Sequence, residues 1–290
     1  MLKRNEKGPK VRELQETLLE LGEQLPRWGA DGDLGNETFE ALGSLLCKHG
    51  RTVDPDPNLV SDAELAFVYA LRDLLQLKHG VELPAKLIDR RQFAKLDLDR
   101  GPRPITEVKG ACLHQTACYL STSKDPARCD AIGAHFVVYP DGTVFWLHDV
   151  TRRIIHGNEW NAQTYGIEID GLFAGVEGDP RTVWDNPSTP SVEKAGSLTP
   201  EQAAATKQLL RWLDAEIRRQ GGHQRLIVAH RQSSGMRRND PGSKVWKEIA
   251  LPMLQELELS DGGPGYALVN QDGGYPIPEA WDPSRKGTPY

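Results

Sequence analysis

No stretch of the 290-residue chain approaches the ~18 consecutive apolar residues that a membrane-spanning helix needs, so the sequence offers no helical membrane span. The opening MLKRNEKGPKVRELQ is basic, as a signal peptide begins, but no apolar segment follows it. Neither a Sec export signal nor a membrane anchor is therefore read. Cysteine is scarce. Cys47, Cys112, Cys118 and Cys129 form no CxxC pair and are too few to staple a scaffold, which leaves the redox compartment open. The 35 Lys and Arg residues are scattered and the formal net charge is -6, so there is no basic stripe and no nucleic-acid partner is expected. Internal repeats are missing as well.

What is present divides into two patterns, as the length suggests. Over residues 1–80, KVRELQETLLELG places Val11, Leu14, Leu18 and Leu21 on one helical stripe. Asn36 is expected to cap a second helix through Thr38, Ala41 and Leu42, and Ser61 with Glu64 to cap a third. A small three-helix bundle is the expectation. Residues 81–104 are mixed, charged and Pro-containing, and read as a linker. Over 105–258 short branched strands alternate with helices, predicting an α/β domain with a mixed central sheet. Its signals are a hairpin around Pro-Asp-Gly in HFVVYPDGTVFWLH, the strands TYGIEID and RLIVAH, and a long helix in LTPEQAAATKQLLRWLDAEIRR. That helix should start with Thr199 as cap, Pro200 first in the helix and Gln202 closing a capping box. Residues 259–290 are Gly- and Pro-rich and read as an extended tail, with Tyr275, Ile277 and Trp281 as hints of packing on the body.

Three positions could meet at one edge of the sheet: His114 in CLHQTA, His230 in VAHRQ and Asp240 in RNDPG. Two imidazoles and a carboxylate leave a tetrahedral zinc one open position, the pattern of a catalytic site. From spacing alone the signal is weak, since any of these histidines can be an ordinary strand-end residue and Asp before Pro-Gly commonly makes a turn. In GIEID the flanking isoleucines should face the core and turn Glu168 to the other side. His135, inside a strand, reads as structural, while His148 and His223 give no signal. The cysteines near His114 read as buried thiols.

HQTA, IGAHFVVYPDG, IIHGNEWNAQTYGIEIDG, LTPEQ and VAHR…RRNDPG occur in the order and spacing of the zinc-dependent N-acetylmuramoyl-L-alanine amidases, and residues 105–258 resemble that superfamily, which includes peptidoglycan recognition proteins and phage endolysins. The resemblance implies hydrolysis of the bond between N-acetylmuramic acid and the L-alanine of the stem peptide. Carried over by position, it implies zinc held by His114, His230 and Asp240, with Glu168 as acid/base residue. Arg238 stands where many relatives place an oxyanion-stabilising lysine; it keeps the charge but cannot readily give up a proton. His156 and Asn161, in HGNEWN, fall in a loop that lines the substrate groove in the family. Ala134 stands where endolysins often carry tyrosine, which suits the glutamate-bearing branch.

The segment VRELQETLLELG…DGDLGNETFEAL resembles the small three-helix peptidoglycan-binding domains, with Leu34 in place of the usual Phe. Together the resemblances imply peptidoglycan as partner and action on the cell wall, in the periplasm or outside the cell. Without a Sec signal, a delivery apparatus, phage-mediated lysis or a holin would bring the chain there. Two alternatives stand beside this reading: a non-catalytic peptidoglycan-binding or sensing protein, and an amidase acting on soluble muropeptides in recycling. Another divalent ion could replace zinc.

Overall fold

The computed structural model describes residues 1–49, 51, 58–78, 83–123, 125–183, 196–268 and 273–290. Two compact units are present, Met1–Val81 and Glu82–Tyr290.

In the first unit β1 (Leu2–Lys3) is followed by α1 (Pro9–Glu20), α2 (Asn36–Lys48), β2 (Leu59–Val60) and α3 (Asp62–Lys78). Pro9 opens α1, where its missing N–H is not needed. The stripe Val11, Leu14 and Leu18 is buried against Leu34, Leu42, Leu45 and Val68. Asn36 is the first residue of α2, not its cap; Gly35 holds the cap position and no side chain closes it. The box expected at α3 does form. Glu64 N donates to Ser61 Oγ at 3.2 Å, and Ser61 N donates to Glu64 Oε2 at 2.7 Å. Buried Gln15 pins the loop before α2, donating to Asp31, Asp33 and Thr38 and accepting from Gly32 N.

The second unit contains β3 (Leu87–Asp89), β4 (Asp99–Pro102), β5 (Gly110–Gln115), β6 (Phe136–Val138), β7 (Val144–Trp146), β8 (Arg152–Ile154), β9 (Thr164–Ile169), α4 (Pro200–Arg219) and β10 (Leu226–Ala229). Six strands form one mixed sheet in the order β10-β5-β9-β6-β7-β3. The strands β10, β5, β9 and β6 run parallel, and β7 returns antiparallel from β6 through the Pro-Asp-Gly turn. Two pieces of the segment read as a linker enter this unit: β3 pairs with β7, and β4 pairs with β8. Such short pairings rest on backbone groups and leave little side-chain pattern to read.

Alternation across the parallel strands divides the sheet into two faces. Ala111, Leu113, Tyr165, Ile167 and Ile169 point into the main core, with Leu209, Leu210, Leu213 and Ile217 of α4. Cys112, His114, Gly166 and Glu168 take the opposite face. At the start of α4, Gln202 N donates to Thr199 Oγ1 at 3.1 Å. The Gln202 side chain does not close the box, however. It is buried and donates to the carbonyls of Val138 and Asp170, at 2.8 and 2.9 Å, tying α4 to strand ends. After β10, α5 (Ser243–Val245) runs through a π-helical turn, Trp246–Ala250, into α6 (Leu251–Glu256). Pro252 lacks the N–H that would bond Glu248 O, and the ladder widens there.

The C-terminal segment packs on this unit. Ile277 and Trp281 are buried, whereas Tyr275 is 39% exposed. Along the loop after β10, Leu268 N donates to Gln232 O at 2.7 Å and Tyr275 N to Arg231 O at 2.8 Å.

Candidate active site

The carboxyl ends of β5, β9 and β10 lie side by side, and in register His114 pairs with Glu168 while Leu113 pairs with Ala229, the residue before His230. A cavity of about 370 Å³ opens there, lined among others by Gln115, His156, Glu168, His230, Met236, Arg237 and Asp240. His114, His230 and Asp240 are buried, and each offers a ligand atom within 4.8 Å of the other two. His114 Nδ1 lies 2.9 Å from His230 Nδ1, which lies 3.0 Å from Asp240 Oδ2. One ring proton on His230 Nδ1 cannot serve both neighbours at once, whereas a cation between the three could meet all of them.

The loop that carries Asp240 is held by Gln115. Its backbone N–H donates to Asp240 Oδ1 at 2.8 Å, and its side chain donates to Asn239 O at 2.7 Å and accepts from Phe173 N at 2.7 Å. Cys112, His114 and His156 form a second cluster of metal-ligating types. Burial pushes the Cys112 thiol well above its ordinary pKa, with the charges of Asp240 and Glu168 adding to it, so the thiolate a metal needs is disfavoured.

Glu168 lines the cavity, and its Oε2 has no hydrogen-bond partner among the described residues. Burial lifts its carboxyl well above the usual carboxylate range, with Asp240 and Asp170 adding and Arg237 opposing. This raises the proton affinity of a group facing the cavity. Burial likewise pushes His114 well below its ordinary value, and neighbouring His230 and His156 push further.

The two residues expected to contact substrate, His156 and Asn161, each have hydrogen-bond partners within the protein, and His156 also lines the cavity. His156 is buried at 8% exposure, with its Nδ1 3.1 Å from His114 Nε2 and its Nε2 3.2 Å from Thr164 O. Asn161 Oδ1 accepts from the backbone N–H groups of His156 and Gly157, at 2.8 and 2.7 Å. Its amide holds the loop in shape. Arg238 does not line the cavity: its guanidinium sits over the rings of Tyr290 and Tyr275, at 4.8 and 5.2 Å. The neighbouring Arg237 lines the cavity instead. His135 is a core residue, accepting from Gly166 N at Nδ1 and meeting Arg152 O at Nε2, both at 3.0 Å.

Arg103 went unread in the sequence, falling within the segment taken for a linker. It is 3% exposed and donates to Val150 O, Asn161 O and Thr164 O at 2.9, 3.2 and 2.9 Å. Both ends of the His156 loop are thereby fixed. Burial drags its pKa down to about 10, which leaves it charged at neutral pH.

The fold and site define a mixed α/β unit with a buried His-His-Asp donor set and a carboxyl group at the carboxyl ends of parallel strands. Residues 104–243 match the family model described as N-acetylmuramoyl-L-alanine amidase. Over 54 residues, 19% of this chain, the sequence is 43% identical to the N-acetylmuramoyl-L-alanine amidase CwlL of Bacillus licheniformis, and the match spans 15% of that protein's length. Among solved structures, the endolysin N-acetylmuramoyl-L-alanine amidase LysCS from Clostridium intestinale URNW aligns at 16% identity over 62% of this chain and 100% of its own, with a TM-score of 0.42. The Drosophila peptidoglycan recognition protein SD aligns at 19% identity over 64% and 100%, also at 0.42. Together these matches support a type 2 N-acetylmuramoyl-L-alanine amidase superfamily unit within residues 104–243. Among the described residues no helix is long and apolar enough to cross a membrane.

Proposed function

We propose that the second unit is a zinc-dependent N-acetylmuramoyl-L-alanine amidase, hydrolysing the amide between N-acetylmuramic acid and the L-alanine of the peptidoglycan stem. The observation that carries this reading is the convergence of His114, His230 and Asp240 beside an unpartnered carboxyl oxygen of Glu168 in one cavity. Two imidazoles and one carboxylate suit a tetrahedral zinc with one open position. Bound there, zinc supplies Lewis-acid chemistry, bringing the pKa of water near neutrality and polarising the amide carbonyl. Glu168 takes the proton of the attacking water and returns it to the departing nitrogen. Its raised proton affinity supports the uptake half of that transfer. Arg237 supplies the positive charge facing the developing oxyanion, a role that residue order had given to Arg238. The first unit would hold the enzyme on the wall.

Purified sacculi incubated with the protein and followed by mass spectrometry test the reading, with a chelated sample and His230→Ala in parallel. Release of peptides beginning with L-alanine by the untreated protein alone is the expected result. Binding to sacculi without release, even with added zinc, would replace the enzyme by a binding protein.

A further inference from the structure

The ring of His156 is seated rather than exposed, and everything around it fixes its direction. A Cβ at Gly166 would lie 2.8 Å from His156 Cγ, so the ring occupies space that only glycine leaves on β9. Asn161 and Arg103 hold the loop on either side.

The hydrogen bonds can be ordered from one end. Thr164 O is a carbonyl and can only accept, so the nitrogen 3.2 Å away, His156 Nε2, carries the proton. In a neutral ring Nδ1 is then a lone pair. It faces His114 Nε2 at 3.1 Å, and His114 must be the donor. His114 Nδ1, the atom that faces His230 and Asp240, is left unprotonated.

We propose that His156 is a positioning residue which, braced by Thr164 O, holds His114 in the Nε2–H tautomer and so presents the Nδ1 lone pair to the metal position. This rests on the reading of His114 as a zinc ligand, and it gives His156, which also lines the cavity, a role behind the ligands.

The test uses the full chain. In metal-free protein labelled with 15N-histidine, long-range ring correlations should show His114 protonated at Nε2, and His156→Leu should abolish that preference. Zinc affinity, measured by competition with a chromophoric chelator, should fall about 10–100-fold in His156→Leu. In His156→Gln, whose amide can accept from His114 and donate to Thr164 O, most of the affinity should return. Gly166→Ala, which leaves every ligand in place but displaces the ring, should weaken binding as His156→Leu does.

Wild-type zinc binding that is lost in His230→Ala but unchanged in His156→Leu overturns the proposal while sparing the metal site. Equal losses in the Leu and Gln variants overturn it too, since the exchange of protons would then not matter. Failure of wild type to bind zinc at all overturns the ligand reading, and the ring correlations then decide the tautomer claim alone. A His114 protonated at Nδ1 refutes it.

Discussion

Acidification of the metal-chelated protein should destabilise the second unit through histidines that fold only in their neutral form. His156 is the clearest case. Burial pushes its pKa down to about 3, against a value near 6.5 in an unfolded chain, with the hydrogen bond to Thr164 O opposing and the charges of His230 and Arg103 assisting. Between those two values the unfolded state binds the extra proton, so stability is complete above about 6.5 and falls as pH drops. Integrated from about pH 7 to about pH 5, that single group contributes a loss of about 2 kcal/mol. For a unit of this size the loss corresponds to about 4–8 °C in Tm. His114 and His135, both pushed well below the ordinary range by burial, act in the same direction. Glu168 acts oppositely, because a carboxyl whose folded pKa is raised binds its proton first in the native state.

The difference between wild type and His156→Gln therefore isolates the one group. Thermal unfolding of both proteins in chelator at about pH 7 and pH 5, followed by tryptophan fluorescence, is the assay. Six of the seven tryptophans lie after residue 81. Wild type should lose about 2 kcal/mol more than the variant across that interval. Parallel pH dependences would refute the claim that His156 is buried in its neutral form.

Other consequences follow from the same geometry. Glu168→Gln should retain zinc and lower turnover by about 10²–10⁴-fold, read as peptide release beside metal content. Arg237→Ala should cost about 10²–10³-fold in kcat, whereas Arg238→Ala, which among the described residues loses its contacts to the rings of Tyr275 and Tyr290, should leave kcat close to wild type; the reverse order would restore Arg238 to the site. Arg103→Met should destabilise the protein by about 3–5 kcal/mol in urea unfolding, because three buried carbonyls lose their charged donor together.

Local rules made much of the scaffold legible. The alternation in GIEID placed Ile167 and Ile169 in the core and Glu168 on the other face, and Pro-Asp-Gly marked the hairpin. Side-chain capping was only half readable, since Gln202 has a stronger use in the carbonyls of Val138 and Asp170 than in closing a box at Thr199. Loops hid the rest. Arg237 and Arg238 are adjacent and chemically alike, and only the three-dimensional course of the loop decides which guanidinium reaches the cavity. His156 and Asn161 were drawn to the right region for a different reason. Their hydrogen bonds to His114, Thr164 and the loop backbone, which sequence does not carry, add a bracing role to that loop.

His114 precedes His230 by 116 residues and Asp240 by 126, so the meeting of the donors depends on strand register more than on any local motif. His114 stands opposite Glu168 because β5 and β9 pair Gly110 with Thr164, and His230 follows Ala229 at the level of Leu113 because β10 pairs Leu226 with Gly110. A slip of one residue between β5 and β9 would turn Glu168 into the α4 core and bring Ile167 or Ile169 to the cavity. The apolar pattern that builds the core thus forbids the registers that would dismantle the site. Gly110 makes the same point at the strand start: a Cβ there would lie 1.9 Å from Leu226 O, so the pairing that aligns His230 with His114 needs glycine at its first step. Fold and site are in this sense specified by the same residues.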